Sequence, residues 1–215
     1  MASRHLANAG HEEQLQRYMP RIVSGDLITA VAVTEADAGS DVAGIKTDAE
    51  RDGDFWVLNE TKMFITNGAH ADPYFVAAKI DLEAAGSRRR TIYAVESEAA
   101  GVSFGRMLDK MGWRSSDTVE LVFEDCRVPA GNVLGEVNKD FYAIMKNFQN
   151  ERLVLGPQAK GEAQKALELT LEYVRERKAF GAPLWEKQTI RQRLAQRKAE
   201  VAAARHGSTR KESRA

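Results

Sequence analysis

Apolar side chains along this chain follow two periods: between about residues 27 and 123 they come in short runs divided by polar turns, and from about Lys139 they fall at helical spacing. The first period predicts strands over 27–34, 55–58, 62–66, 74–80, 91–95, 102–105 and 119–123, whose short length suits an antiparallel barrel or sandwich. Asp52-Gly53-Asp54 and Asn59-Glu60 mark hairpin turns, the second without the glycine that would ease it. The second period places Phe141, Ile144, Met145, Phe148 and Leu155 on one helical face, and Ala163, Ala166, Leu167, Thr170, Leu171 and Val174 carry the pattern on to Arg177 or Lys178. Gly156-Pro157 between these stripes leaves either one kinked helix or two helices that meet there. Gly181-Ala182-Pro183 turns the chain into a further helix over about 186–205. Ahead of the first strand, 12–19 reads as a short surface helix stopped by Pro20, with Ser24-Gly25-Asp26 as a turn.

At 215 residues with 43% hydrophobic content, the chain can bury a real core, in one domain or two small ones. Lys plus Arg and Asp plus Glu both total 31, so the net charge is zero and no global field draws the chain to nucleic acid or to an anionic membrane. No apolar run approaches the roughly 20 residues that span a bilayer, and the N-terminus lacks a charged-then-apolar leader, which makes the cytoplasm the expected compartment. Cys126 is the single cysteine, so no internal disulfide can form, and its setting reads as a half-buried strand thiol rather than a reactive one. The four histidines, His5, His11, His70 and His206, are too scattered for a metal site, and no metal is expected. The polar stretch 84–90, with three successive arginines, reads as a solvated loop, with phosphate binding as the alternative.

Glu151 follows Phe148 by three positions and precedes Leu155 by four, which puts a carboxylate on the apolar face of its helix. Desolvation there raises a carboxyl pKa toward the range useful to a general base; a partly exposed glutamate paired with a cation is the competing reading.

Three segments in fixed order carry a resemblance: Val33-Thr34-Glu35-Ala36-Asp37-Ala38-Gly39-Ser40-Asp41, then Lys62-Met63-Phe64-Ile65-Thr66-Asn67-Gly68, then Asn150-Glu151-Arg152-Leu153-Val154. Together they resemble acyl-CoA dehydrogenases, the third being similar to the stretch that supplies the catalytic base in the long-chain and isovaleryl-CoA branches. Residues 108–118 and 123–129 look like central-domain strands of that family, and 175–181 resembles its Arg-Lys-x-Phe-Gly motif. The likeness runs from residue 11 to about 205.

The resemblance implies an α+β fold, with an antiparallel β-barrel domain followed by a partial antiparallel helical bundle. On this reading 1–26 is a remnant of an N-terminal helical domain, 27–137 the barrel that binds flavin and acyl-CoA, 138–206 a partial C-terminal helical domain and 207–215 a frayed tail. It also implies FAD-dependent oxidation of an acyl-CoA thioester to its trans-2-enoyl product in fatty-acid β-oxidation, with Glu151 taking the α-proton and flavin N5 the β-hydride. Electron-transfer flavoprotein would be the electron acceptor, and the assembly a homodimer or homotetramer. Val31, Val33, Thr34, Gly39 and Ser40, with Phe64, Ile65 and Thr66, match the segments that line the isoalloxazine ring. Arg177, Phe180 and Gln188 resemble positions that reach FAD on a neighbouring subunit, while Ser40, Gln149 and Arg152 match substrate-contacting positions. Plainer readings stand beside these: Thr34 and Thr66 as ordinary strand residues, 38–41 as a turn, Arg152 in a structural ion pair and Phe180 as core.

The chain also departs from the family pattern. Phe64 stands where many members carry tryptophan, offering a smaller ring for stacking. Glu60 replaces a usual hairpin glycine, and Pro157 interrupts a helix that the family keeps smooth. The likeness starts just before the barrel and stops before the family's later helices, so truncation at both ends is expected. Two other functional readings therefore accompany the dehydrogenase: a catalytically silent remnant, and a related flavoenzyme on the same fold, such as an acyl-CoA oxidase or a monooxygenase.

Overall fold

The short apolar runs form two four-stranded sheets over one shared core. The structure, a computed structural model, describes residues 2–80, 90–137 and 141–212. It divides into two units, 1–147 and 148–215.

In the first unit, strands β1 (Ala30–Ala32), β2 (Asp48–Asp52), β3 (Phe55–Thr66), β4 (Tyr74–Ala78), β5 (Thr91–Val95), β6 (Val102–Met107), β7 (Thr118–Pro129) and β8 (Val133–Leu134) follow two short helices, α1 (Ser3–Ala9) and α2 (Glu12–Ser24). One sheet has the order β1-β4-β5-β8 and the other β2-β3-β7-β6. Neighbours are antiparallel except β1 and β4, which run parallel. Trp56, Leu58, Leu121, Phe123 and Val128 of one sheet pack against Tyr74, Val76, Tyr93 and Val95 of the other. Trp56 meets Tyr93 edge to face, with ring centroids 5.8 Å apart. The sheets also meet at one corner, where the Ala49 amide donates to the Lys79 carbonyl (2.9 Å) and the Lys79 amide to the Thr47 carbonyl (2.8 Å).

The α+β expectation holds, and several local expectations change. The helix expected to stop at Pro20 runs through it to Ser24 and ends at Gly25, whose φ of 86° suits a left-handed cap. Its hold on the sheets outweighs the donor that proline removes: Gln14 Nε2 donates to the carbonyls of Gly131 and Val133, both at 2.9 Å, and Tyr18 donates to Glu96 at 2.5 Å. Asn59-Glu60 is not a hairpin turn. It lies inside β3, where the pairing with β7 shifts register between Leu58 and Glu60 and the Glu60 backbone takes φ 151°. Cys126 is fully buried rather than half-buried. Arg90 is buried at 1% exposure and donates to the Ala43 carbonyl, so the end of the arginine run lies in the interior; 84–89 fall outside the described residues.

Helix α3 (Phe141–Glu176) begins in the first unit and passes unbroken through Gly156-Pro157, and in the second unit a two-stranded hairpin of β9 (Lys178–Ala179) and β10 (Ala182–Pro183) leads to helix α4 (Gln188–Glu212). The hairpin turn places Phe180 at φ 56° and Gly181 at φ 80°. The α4 backbone continues past the expected end at Arg205 into the segment read as a frayed tail, because an established helix propagates through polar residues at little cost. The apolar stripe is largely uncovered beyond residue 148, with Leu153, Val154 and Leu155 at 44%, 52% and 53% exposure.

Candidate functional site

Two of the three motifs meet in the first unit. After β1 the chain turns tightly at Glu35, whose amide donates to the Ala38 carbonyl at 2.8 Å. The Met63 amide of β3 then donates to the Thr34 carbonyl at 2.7 Å, tying the 33–41 loop to the 62–68 segment. Between Lys62 and Ile65 the β3–β7 pairing advances three residues on β3 against two on β7, so β3 holds one extra residue there. Phe64 sits in that bulge at φ 59° and is 58% exposed. Gly68 closes the segment where a Cβ would lie 2.4 Å from Val119 Cγ2, so only glycine fits without a shift.

Behind this surface lies a charged pair absent from the expected site. Lys62 Nζ donates to Glu35 Oε1 at 2.8 Å and to the Val33 carbonyl at 3.1 Å. The lysine side chain is 0% exposed and the glutamate 4%. Glu35 also accepts from the Lys46 amide (2.5 Å), the Thr47 amide (2.9 Å) and the Thr47 hydroxyl. Burial pushes Lys62 down to about 8 against the attraction of Glu35. Burial acts to raise Glu35, but Lys62 and the surrounding donors win and hold its carboxyl below the ordinary range. Pattern alone gives little signal for the pair, since Glu35 lies in the turn after the first expected strand and Lys62 follows the polar Asn59-Glu60-Thr61.

The expected flavin-lining residues divide by burial. Val33 and Ile65 are buried at 6% and 2% exposure, with the Val33 carbonyl taken by Lys62 Nζ and the Ile65 carbonyl by the Gly68 amide, so both lie behind the exposed surface. Val31 and Thr34 are half-buried, and Gly39, Ser40, Phe64 and Thr66 are exposed. An exposed aromatic ring beside hydroxyl and backbone donors and acceptors suits a flat heteroaromatic group such as an isoalloxazine. In the second unit, Gln149, Glu151 and Arg152 lie on α3, with Glu151 half-buried and the other two exposed. Arg177, Phe180 and Gln188 gather at the hairpin end of that unit, all exposed, with Lys187 Nζ 5.4 Å from the Phe180 ring centroid. Phe180 is 95% exposed, so the core reading does not apply to it in this chain.

The family model described as acyl-CoA dehydrogenase, middle domain, matches residues 30–126, and the one described as acyl-CoA dehydrogenase, C-terminal domain, matches residues 138–210. The chain belongs to the acyl-CoA dehydrogenase family. The long-chain specific acyl-CoA dehydrogenase of Sus scrofa, mitochondrial by name, is 40% identical over 202 residues, covering 94% of this chain and 47% of the relative. Mitochondrial isovaleryl-CoA dehydrogenase of Pongo abelii is 43% identical over 191 residues, covering 88% and 45%. Among solved structures, an acyl-CoA dehydrogenase from Geobacillus kaustophilus has a TM-score of 0.96 at 43% identity, covering 99% of this chain and 56% of that one. An acyl-CoA dehydrogenase complexed with FAD from Bacillus anthracis has a TM-score of 0.86 at 36% identity, covering 94% and 34%. At 47% and 45% coverage, the chain spans about half the length of the curated relatives it matches.

Proposed function

We propose that this chain carries the flavin-binding and proton-abstracting part of an acyl-CoA dehydrogenase, which oxidises an acyl-CoA thioester to its trans-2-enoyl product. The observation that carries this reading is the 2.7 Å bond from the Met63 amide to the Thr34 carbonyl, which holds two family motifs side by side with Phe64 exposed between them. FAD, when bound, supplies the acceptor for the β-hydride. Phe64 offers a stacking face, Thr34, Ser40 and Thr66 offer hydroxyl groups, and the backbone of Val31 and Gly39 offers further hydrogen-bonding groups, with Val33 and Ile65 buried behind them. Glu151 takes the α-proton as a carboxylate and ends as a carboxylic acid. The Cα–H and Cβ–H bonds break, the Cα=Cβ bond forms, and two electrons leave with the hydride. Ser40, Gln149 and Arg152 bind the acyl-CoA, Arg152 as a charged donor to carbonyl or phosphate oxygens.

Arg177, Phe180 and Gln188 reach FAD held by a neighbouring copy, so the active form on this reading is a homodimer or homotetramer. Electron-transfer flavoprotein receives the electrons. The test is an anaerobic titration of the purified, desalted chain with excess acyl-CoA, followed by visible absorption. Bleaching of bound flavin in the parent chain, and retention of flavin without bleaching in Glu151→Gln, is the expected pair of results. Equal bleaching in both would sink the assignment of Glu151. A chain that takes up no flavin would favour a catalytically silent member, and peroxide formation in air would favour an oxidase.

A further inference from the structure

We propose that the buried Glu35–Lys62 pair is a positioning clamp that fixes the spacing of the 33–41 loop and the Phe64 bulge, and that tight flavin binding depends on it. The inference rests on the flavin site proposed above. Two charges in a core are poor stabilisers in themselves, because desolvation offsets most of their attraction, and an apolar pair of similar volume commonly does as well. What this pair adds is direction. Three segments converge on one carboxylate: Lys62 from β3 at 2.8 Å, the Lys46 and Thr47 amides at 2.5 and 2.9 Å, and Glu35 itself from the turn after β1. The same ammonium holds the Val33 carbonyl at 3.1 Å, one residue before the Thr34 carbonyl that receives the Met63 amide at 2.7 Å. The clamp therefore brackets Thr34 on one side and Phe64 on the other. Neither charge reaches the surface, so neither is a catalytic residue. Both act through the residues they hold.

The test uses the full chain, stripped of flavin, as the parent and as Lys62→Met, Glu35→Asp and the double variant Glu35→Gln/Lys62→Met. The double variant removes both charges and keeps a carboxamide oxygen for the Thr47 amide, so it is the form expected to fold if Lys62→Met alone does not. Amide hydrogen exchange is read at Lys46 and Met63 against Val76 and Tyr93 in the buried sheet, and FAD dissociation constants are read by fluorescence. The expected result is exchange about tenfold faster at Lys46 and Met63 with Val76 and Tyr93 unchanged, together with FAD binding weakened about tenfold. Glu35→Asp keeps the charge but shortens its reach, and shifts both readouts in the same direction. Exchange that rises equally at all four amides would reduce the pair to a general stabiliser and overturn the proposal. So would a folded double variant that keeps parental FAD affinity. If the parent chain binds no FAD, the flavin proposal fails, and the exchange pattern alone decides whether the clamp exists.

Discussion

Lowering the pH from 7 to 5 is expected to cost the first unit about 2 kcal/mol through His5 alone. His5 lies on α1 at 1% exposure. Its Nδ1 accepts from Asn147 Nδ2 at 2.9 Å, while Asn147 Oδ1 is already taken by Asn8 Nδ2 at 2.7 Å. The imidazole proton therefore sits on Nε2, which finds no acceptor among the described residues. A second proton would place Nδ1–H against a donor, and turning the Asn147 amide to relieve this would break its bond with Asn8. Burial pushes His5 from 6.5 down to about 4. The unfolded chain thus binds the proton more readily than the folded one, so the contribution is fully present above pH 6.5 and is lost as pH falls toward about 4. At about 1.4 kcal/mol per pKa unit the whole loss is about 3.5 kcal/mol, of which a little over half has gone by pH 5. Carboxylates elsewhere titrate in the same range. The assay is therefore a difference: urea unfolding of the parent and of His5→Gln, each from pH 7 to 4.5. The two stability profiles should converge as pH falls, and profiles parallel to within about 0.5 kcal/mol would refute the buried, neutral histidine.

Two further outcomes test the packing. Gly68→Ala puts a Cβ 2.4 Å from Val119 Cγ2 and is expected to lower stability by about 1–3 kcal/mol, with part regained in the double variant Gly68→Ala/Val119→Ala; a denaturation midpoint unmoved by the first substitution would contradict the contact. Burial pushes the Cys126 thiol up to about 11, so it should resist an aromatic disulfide reagent at pH 8 in the folded chain and react once urea unfolds it, and immediate native reaction would mean that β7 opens readily.

The sequence made regular elements legible wherever apolar residues came in a sustained run or at helical spacing. The fully buried β4 and β5 lie within expected strands, and the long helical stripe became α3. β2 was not legible because Asp48-Ala49-Glu50-Arg51-Asp52 buries only Ala49 and has no apolar period to detect. β8 has two residues, too few to show any period. Glu151 was legible as a carboxylate out of place, yet the apolar face assigned to it is half open here, since Phe148 and Glu151 are half-buried and Leu155 is exposed. Periodicity reports which residues share a face, but not what covers that face.

The site residue hardest to place by pattern is Phe64, and the reason lies in β7. Strict alternation from Trp56 and Leu58 would turn Lys62, Phe64 and Thr66 all toward the core. The strand keeps Lys62 inside, then spends one extra residue between Lys62 and Ile65, so that Ile65 enters the core in place of Phe64. β6 does the same on the other side of β7, advancing from Phe104 to Met107 while β7 moves only from Leu121 to Val119. Both neighbours of β7 bulge at one level, and Phe64, Phe104 and Met107 are all more than half exposed there, at 58%, 55% and 53%. An earlier register shift gives β7 an extra residue at Asp125 (φ 48°), where Asn59 Oδ1 accepts the Asp125 amide at 2.7 Å, and Lys62 keeps the inward side that alternation from Leu58 gives it. The buried ammonium thus follows the alternation of β3, while the exposed aromatic ring follows from the bulge that comes after it. Binary patterning cannot express this, because it assigns each residue a side before the partner strand has set the count.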